Sequence, residues 1–374
     1  MGRLRVALIG ATGSIGSQTL QVLRDAPEQF ELVALAVGRE SDATRALATA
    51  HSGVPLVIGL EGEQLSDRIL GASPDLLVSA ATGIVGIRAT IAALDAGVAV
   101  AIANKETIVA GGELVIGPAR RAAARSGSSL LERLRPVDSE HSALWQCLAG
   151  ESSDRVERLW LTASGGPFRT WEAPRIANAR AEDALRHPTW KMGGKITIDS
   201  ASLVNKGLEV IEAHRLFEMP MDRISILVHP QSLLHGAVTF KDGSMKAQIG
   251  EPDMRVPIGY ALNYPARSDQ PVRPVDLAAM RELTFEEPDL QRFPALAVAL
   301  AAGEAGGAAP AVLIVADDVA TTRFLTGDIP FGDIGLILKE STDRFGGRAA
   351  PKSVEELIDL GDEVRAFAAT WQPT

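Results

Sequence analysis

Through residues 3–130 short apolar runs alternate with stretches of helical period. Runs at 5–9, 31–37, 55–59, 75–79 and 98–103 read as buried strands, and the segments between most of them are long enough for a helix. That alternation predicts a parallel, doubly wound α/β sheet. Further strands are expected at 159–162, 224–228, 237–240 and 245–249, the last two joined through Lys241 to Ser244. A hairpin of this kind marks a second, α+β unit. From about residue 289 the period is helical only, over 290–302, 311–325, 329–344 and 354–369. The expected division is a nucleotide-binding domain at 1–135, an α+β domain at 136–264, a Pro- and charge-rich linker at 265–288 and a helical domain at 289–374.

The stretch 186–216 draws together more chemistry than any other. It opens as a loop carrying His187, Trp190, Met192, Gly193 and Gly194, and loops with aromatic tips act as lids. A β-branched run at 195–198 follows, and Asp199 and Ser200 offer oxygens to cap a helix. Val204, Leu208 and Ile211 then recur at helical steps as a buried stripe, with Ser202, Asn205, Lys206 and Glu209 on another face. Gly207 in mid-helix costs about 1 kcal/mol against Ala, so a close backbone approach is expected there. The ordinary alternative for the polar face is a solvated Lys–Glu pair worth tenths of a kcal/mol.

A length of 374 residues implies two or three domains, and 46% apolar with 22% charged residues fits a soluble chain. No run of about 18 apolar residues is present, and the chain enters its first strand at Arg3 without a signal-peptide pattern. The lone Cys147 excludes an internal disulfide framework and fits a reducing compartment. A net charge of −10 argues against nucleic acid or anionic membrane as partner. A cytoplasmic enzyme or binding protein is expected.

Gly10, Gly13 and Gly16 form a turn directly after a strand and before a helix, a shifted relative of the dinucleotide fingerprint. The second strand ends at Gly38-Arg39, where an arginine suits a 2′-phosphate and so NADP, unless it is merely an exposed strand end. Asn104, Lys105 and Glu106 close the fifth strand, where parallel sheets bind ligands. Asp138 and Glu140 share one face if their segment is extended, and Glu209 is the natural third carboxylate. Such oxygens suit Mg²⁺ or Mn²⁺, and a bare acidic pair is the alternative. Ser164-Gly165-Gly166 can present amides as an anion nest, and His229 closes a later strand.

Together these stretches resemble the 1-deoxy-D-xylulose 5-phosphate reductoisomerase family, over the N-terminal turn, the segment 104–106 and nearly all of 136–255. The resemblance implies NADPH- and metal-dependent rearrangement and reduction of that sugar phosphate to 2-C-methyl-D-erythritol 4-phosphate, with Mg²⁺, Mn²⁺ or Co²⁺. It implies a cytoplasmic homodimer. It implies metal and catalytic roles for Asp138, Glu140 and Glu209, with Lys105 between cofactor and substrate. Substrate contacts would fall at Ser139, Ser164, His187, Trp190, Met192, Ser200, Asn205, Lys206 and His229. Cofactor contacts would fall at Thr12, Gly13, Ser14, Ile15, Gly38, Arg39, Asn104, Lys105, Glu106, Gly193 and Met254. The chain departs from the family by placing Glu132, Arg133 and Arg135 among leucines. It also carries Val315-Ala316-Asp317-Asp318 where an Asn-Ala-Ala-Asn-Glu stretch is usual. Two other classes share the nucleotide-binding turn. A semialdehyde dehydrogenase needs a cysteine nucleophile, and Cys147 lies in an apolar helix. A non-catalytic NADP sensor would not need the carboxylate and lysine set.

Overall fold

The computed structural model describes residues 2–186, 193–269 and 272–373. The chain forms two compact units, Met1–Trp145 with Asp253–Arg273, and Gln146–Pro252 with Pro274–Thr374.

The first unit holds strands β1 (Leu4–Ile9), β2 (Phe30–Val37), β3 (Leu56–Ile58), β4 (Leu76–Ser79), β5 (Ala99–Ile102) and β6 (Leu134–Pro136). Their order is β3-β2-β1-β4-β5-β6, all parallel, as the alternation predicts. Every residue of β4 and β5 is buried, as expected where helices cover both faces. Val6, Leu8, Leu76, Val78, Ala99 and Ala101 line one core together with Ile258, Ala261 and Leu262 of the helix Arg255–Asn263. That packing draws residues 253–273 into the first unit, so the expected boundary at 264 and the linker from 265 do not coincide with its limits.

The atypical charges before and within β6 are absorbed locally. Glu132 accepts from the Ser129 amide at 3.1 Å, and Arg133 Nε donates to Ser128 Oγ at 3.0 Å. Arg135 donates to the carbonyl of Glu132 at 3.1 Å and to that of Ala261 at 2.7 Å, which ties the edge strand to the helix Arg255–Asn263.

The second unit is built on β7 (Val156–Ala163), β8 (Ile224–Val228), β9 (Leu234–Phe240) and β10 (Met245–Ile249). The order is β10-β9-β7-β8, with β8 parallel to β7 and the hairpin antiparallel. Glu286, from the expected linker, forms an antiparallel bridge with Val228. Four helices, Pro294–Ala305, Ala309–Leu325, Phe331–Phe345 and Val354–Thr370, follow the helical pattern to within a few residues. No helix of the described residues is long and apolar enough to cross a membrane.

Two local expectations are corrected. Residues 195–198 are helical, inside Gly194–Ala201, because burial of Thr197 and Ile198 and a Lys195–Asp199 pair at 2.7 Å outweigh β-branched propensity. Asp199 and Ser200 therefore lie within that helix and do not cap the next one. Leu203, at φ 60°, interrupts the helical run before the helix Val204–Phe217, which leaves Ser202 outside it. Asp138 and Glu140 are likewise not neighbours on a strand, since β6 stops at Pro136 and a helix begins at Ser139.

The helix Val204–Phe217 is buried along most of its length, Lys206, Glu209 and Glu212 included, so the Lys206–Glu209 pair is not solvated. A Cβ on Gly207 would lie 2.4 Å from the Cβ of Ala299, which accounts for glycine in mid-helix.

Candidate active site

In the first unit the turn after β1 brings two main chains into contact. A Cβ on Gly10 (φ +83°) would meet the Ala80 carbonyl oxygen at 2.5 Å, and one on Gly16 would meet that of Gly10 at 2.2 Å. The helix Ser14–Asp25 starts at once, and its cap residue Gly13 brings no side-chain bond. Such a terminus presents main-chain amides to an anion. Thr12, Gly13 and Ser14 are exposed, while Ile15 packs on the core, as does Met254 from the other end of the unit's sequence.

Gly38 and Arg39 are exposed beyond the end of β2. The neighbouring Glu40 lies 3.6 Å from Arg45, which leaves Arg39 as the cation of this strand end. Asn104, expected among the cofactor contacts, has its side chain engaged by main chain. Its Oδ1 caps the next helix at the Thr107 amide (2.8 Å), and its Nδ2 donates to the carbonyls of Ala81 and Gly83. It is 3% exposed and braces the exits of β4 and β5.

Lys105 follows, nearly buried, with its Nζ 2.8 Å from Asp138 Oδ2. Asp138 Oδ1 accepts from the Glu140 amide at 3.1 Å and lies 2.9 Å from His141 Nδ1. Ser139 Oγ donates to Glu140 at 2.5 Å. His141, fully buried, is a further member of this cluster, not among the residues expected from sequence. Its signal was the three-residue step from Asp138 across a helix start.

In the second unit one helical turn gathers Asn205, Lys206 and Glu209. Asn205 Nδ2 donates to Glu209 Oε1 at 2.6 Å, and the Lys206 ammonium pairs with Oε2. The Lys206 and Glu209 side chains are 5% and 2% exposed. Ser164 Oγ accepts from the Gly166 amide at 3.1 Å, and Gly165 and Gly166 hold φ of +85° and +66°. A Cβ on Gly166 would meet the Ser200 carbonyl oxygen at 2.8 Å, so this turn and Ser200 are in contact. Gly193 caps the helix Gly194–Ala201. His187, Trp190 and Met192, the expected lid residues, lie outside the described residues.

His229 is fully buried and its ring is engaged by main chain on both sides. Nδ1 lies 2.9 Å from the Thr284 carbonyl, Nε2 accepts from the Leu233 amide at 3.2 Å, and Phe285 stacks on the ring at 4.9 Å. This places it as a brace for the turn 229–232.

His235, on β9, is 7% exposed and lies 3.1 Å from the Gly250 carbonyl. Burial lowers its pKa, and the nearby Lys206 and His229 act the same way against the carbonyls of Gly250 and Glu251. The unfolded chain takes up a proton near pH 6.5 that the folded ring resists. Stability from this group is therefore whole above about pH 6.5 and falls as pH drops toward the depressed folded value. Urea midpoints measured from about pH 7 down to 5 are expected to fall less steeply for His235→Gln than for the parent. Identical slopes would remove His235 from the acid response.

Each cluster pairs a carboxylate, half-buried at Asp138 and buried at Glu209, with an ammonium, so each carboxylate occupies a place that accepts positive charge. Oxygen donors of this kind fit a hard divalent cation. A six-stranded parallel sheet with a glycine turn at the first strand end is the arrangement of a dinucleotide-binding domain.

Family models of 1-deoxy-D-xylulose 5-phosphate reductoisomerase match residues 6–69 and 57–112, and models of its C-terminal domains match 134–217 and 249–367. The 1-deoxy-D-xylulose 5-phosphate reductoisomerase of Geobacillus sp. (strain WCH70) is 43% identical over 97% of this chain and 98% of its own length. The structure of the Zymomonas mobilis reductoisomerase in complex with NADPH superposes with a TM-score of 0.85 at 38% identity, covering 98% of both chains. A DOX-P reductoisomerase in complex with NADPH, fosmidomycin and magnesium gives 0.88 at 34% identity over 98% of this chain and 97% of that one. This chain belongs to the 1-deoxy-D-xylulose 5-phosphate reductoisomerase family. Cys147, buried in the helix Ser139–Leu148, has no place as an exposed nucleophile.

Proposed function

We propose that this chain uses NADPH and a divalent cation to rearrange and reduce 1-deoxy-D-xylulose 5-phosphate to 2-C-methyl-D-erythritol 4-phosphate. The observation that carries the reading is the buried turn Asn205–Lys206–Glu209, where an amide, an ammonium and a carboxylate meet within hydrogen-bond reach. No packing need calls for burying such a set, and breaking a buried pair of this kind costs about 3–5 kcal/mol.

Asp138, Glu140 and Glu209 are the proposed ligands of Mg²⁺ or Mn²⁺. When bound, the metal supplies Lewis-acid polarisation of substrate oxygens and NADPH supplies hydride. Lys206 and Asn205, with Ser164 and Ser200, hold the phosphate away from the reacting carbons, so that binding energy there serves the chemical step. Ser139 adds a hydroxyl beside Glu140. Lys105, with its ammonium on Asp138, stands between cofactor and substrate. His229 acts through the turn it braces. Residues 1–135 bind NADPH, with Arg39 at the 2′-phosphate and Thr12 to Ile15 at the pyrophosphate. His187, Trp190 and Met192 form the lid that excludes water.

The chain works as a cytoplasmic homodimer. In support, the lone thiol fits a reducing compartment, and β10 is an edge strand with Met245 and Ile249 exposed, open to a second copy.

Absorbance at the NADPH band, followed with 1-deoxy-D-xylulose 5-phosphate, tests the reading. Oxidation is expected with millimolar Mg²⁺, loss of nearly all rate with chelator, and recovery on adding Mg²⁺ or Mn²⁺. A chain that binds NADPH yet shows no substrate-dependent oxidation would be a sensor instead.

A further inference from the structure

The turn after β7 is built from flexible parts. Gly165 and Gly166 take consecutive left-handed conformations, and glycine loses more freedom on being ordered than any other residue. An anion nest works only if its amides stay aimed at one point. Ser164 Oγ braces the turn from within, at the Gly166 amide. Something must also hold its far side.

That side is held from more than 120 positions away. The main-chain carbonyls of Phe168, Arg169 and Trp171 converge on Nη2 of Arg292, at 3.1, 2.7 and 2.7 Å. Two hydrogens serve three acceptors, so at least one is shared. The Trp171 amide closes the loop on the Phe168 carbonyl at 2.9 Å. Phe168 is fully buried, its ring 4.7 Å from Trp171 and 5.0 Å from Phe331. Arg292 is itself fixed, because Asp289 Oδ1 accepts from the amides of Gln291 and Arg292, both at 3.0 Å. Its Nε is buried with no hydrogen-bond partner among the described residues. A guanidinium that leaves one buried donor unmade while another nitrogen meets three carbonyls is placed for what that nitrogen does.

We infer that Arg292 is a positioning residue for substrate binding: it clamps residues 168–171 and so fixes the amides of Ser164–Gly166 against the substrate's phosphate. The inference rests on the proposed reading of that turn as an anion site. Arg292 touches neither substrate nor cofactor. It acts through the carbonyls, and the shorter lysine side chain leaves its ammonium short of three carbonyls placed for Nη2.

The test uses the full chain with Arg292→Ala and Arg292→Lys. Both variants are expected to lower kcat/KM for 1-deoxy-D-xylulose 5-phosphate more than tenfold, with the KM for NADPH within about twofold of the parent. Inhibition by n-propyl phosphate, which carries the anion alone, is expected to weaken in parallel. Guanidinium at concentrations well below denaturing is expected to restore at least threefold of the loss in Arg292→Ala. If Arg292→Ala does not fold, the lysine variant decides by the same split between substrate and cofactor. Equal effects on both KM values, or a lower melting temperature with kcat/KM unchanged, would make Arg292 a structural clamp only and overturn the inference. Absence of turnover in the parent would instead overturn the functional reading itself.

Discussion

Glu209→Gln is expected to reduce metal-dependent kcat/KM at least a thousandfold and to leave NADPH affinity within about twofold. Glu209 is 1% exposed and is the only one of the proposed ligands that shares its helical turn with the phosphate-binding pair. The amide keeps the shape and can still accept from Asn205, so the change removes charge rather than volume. Lewis-acid polarisation contributes several kcal/mol to such a reaction, and each ~1.4 kcal/mol is tenfold in rate. Fluorescence titration with NADPH separates loss of chemistry from loss of cofactor. Normal turnover by the variant in millimolar Mg²⁺ would take Glu209 out of the site.

Lys206→Ala is expected to act on stability as strongly as on catalysis. On an exposed helix an i,i+3 pair contributes tenths of a kcal/mol. Here both side chains are buried, and truncation leaves Glu209 as an uncompensated charge at a cost of about 3–5 kcal/mol. In chelator the variant is expected to melt well below the parent. Added Mg²⁺ is expected to narrow the gap, because a cation that neutralises the carboxylate left uncompensated at Glu209 stabilises the folded variant more than the parent. A deficit that is the same at every Mg²⁺ concentration would show that the cation does not take over the role of the ammonium at Glu209.

Much of this was legible in the residues. Strand runs and the glycine turn gave the parallel sheet because short, wholly apolar runs and tight turns are local properties. Gly207 signalled a close approach because glycine in mid-helix has a known cost and needs a reason. The helix over 194–201 was not legible, since its β-branched residues are overruled by burial that only the fold supplies. Nor was the brace at Asn104: a short polar side chain at a strand end looks alike whether it faces a ligand or two carbonyls. His229 and Arg292 make the same point at longer range. Both bond to main chain more than fifty positions away, and no spacing in a single sequence encodes that.

Gly207 and Gly303 bear on how this protein can be cut or grafted. A Cβ on Gly303 would lie 2.7 Å from Ile211, just as one on Gly207 would strike Ala299, so two helices meet at both points without room for a methyl group. The helix Val204–Phe217 thus uses Pro294–Ala305 as its wall. The C-terminal helices are not an accessory module: a fragment ending before Pro294 would keep every proposed site residue and lose the surface that holds three of them, Asn205, Lys206 and Glu209, in place.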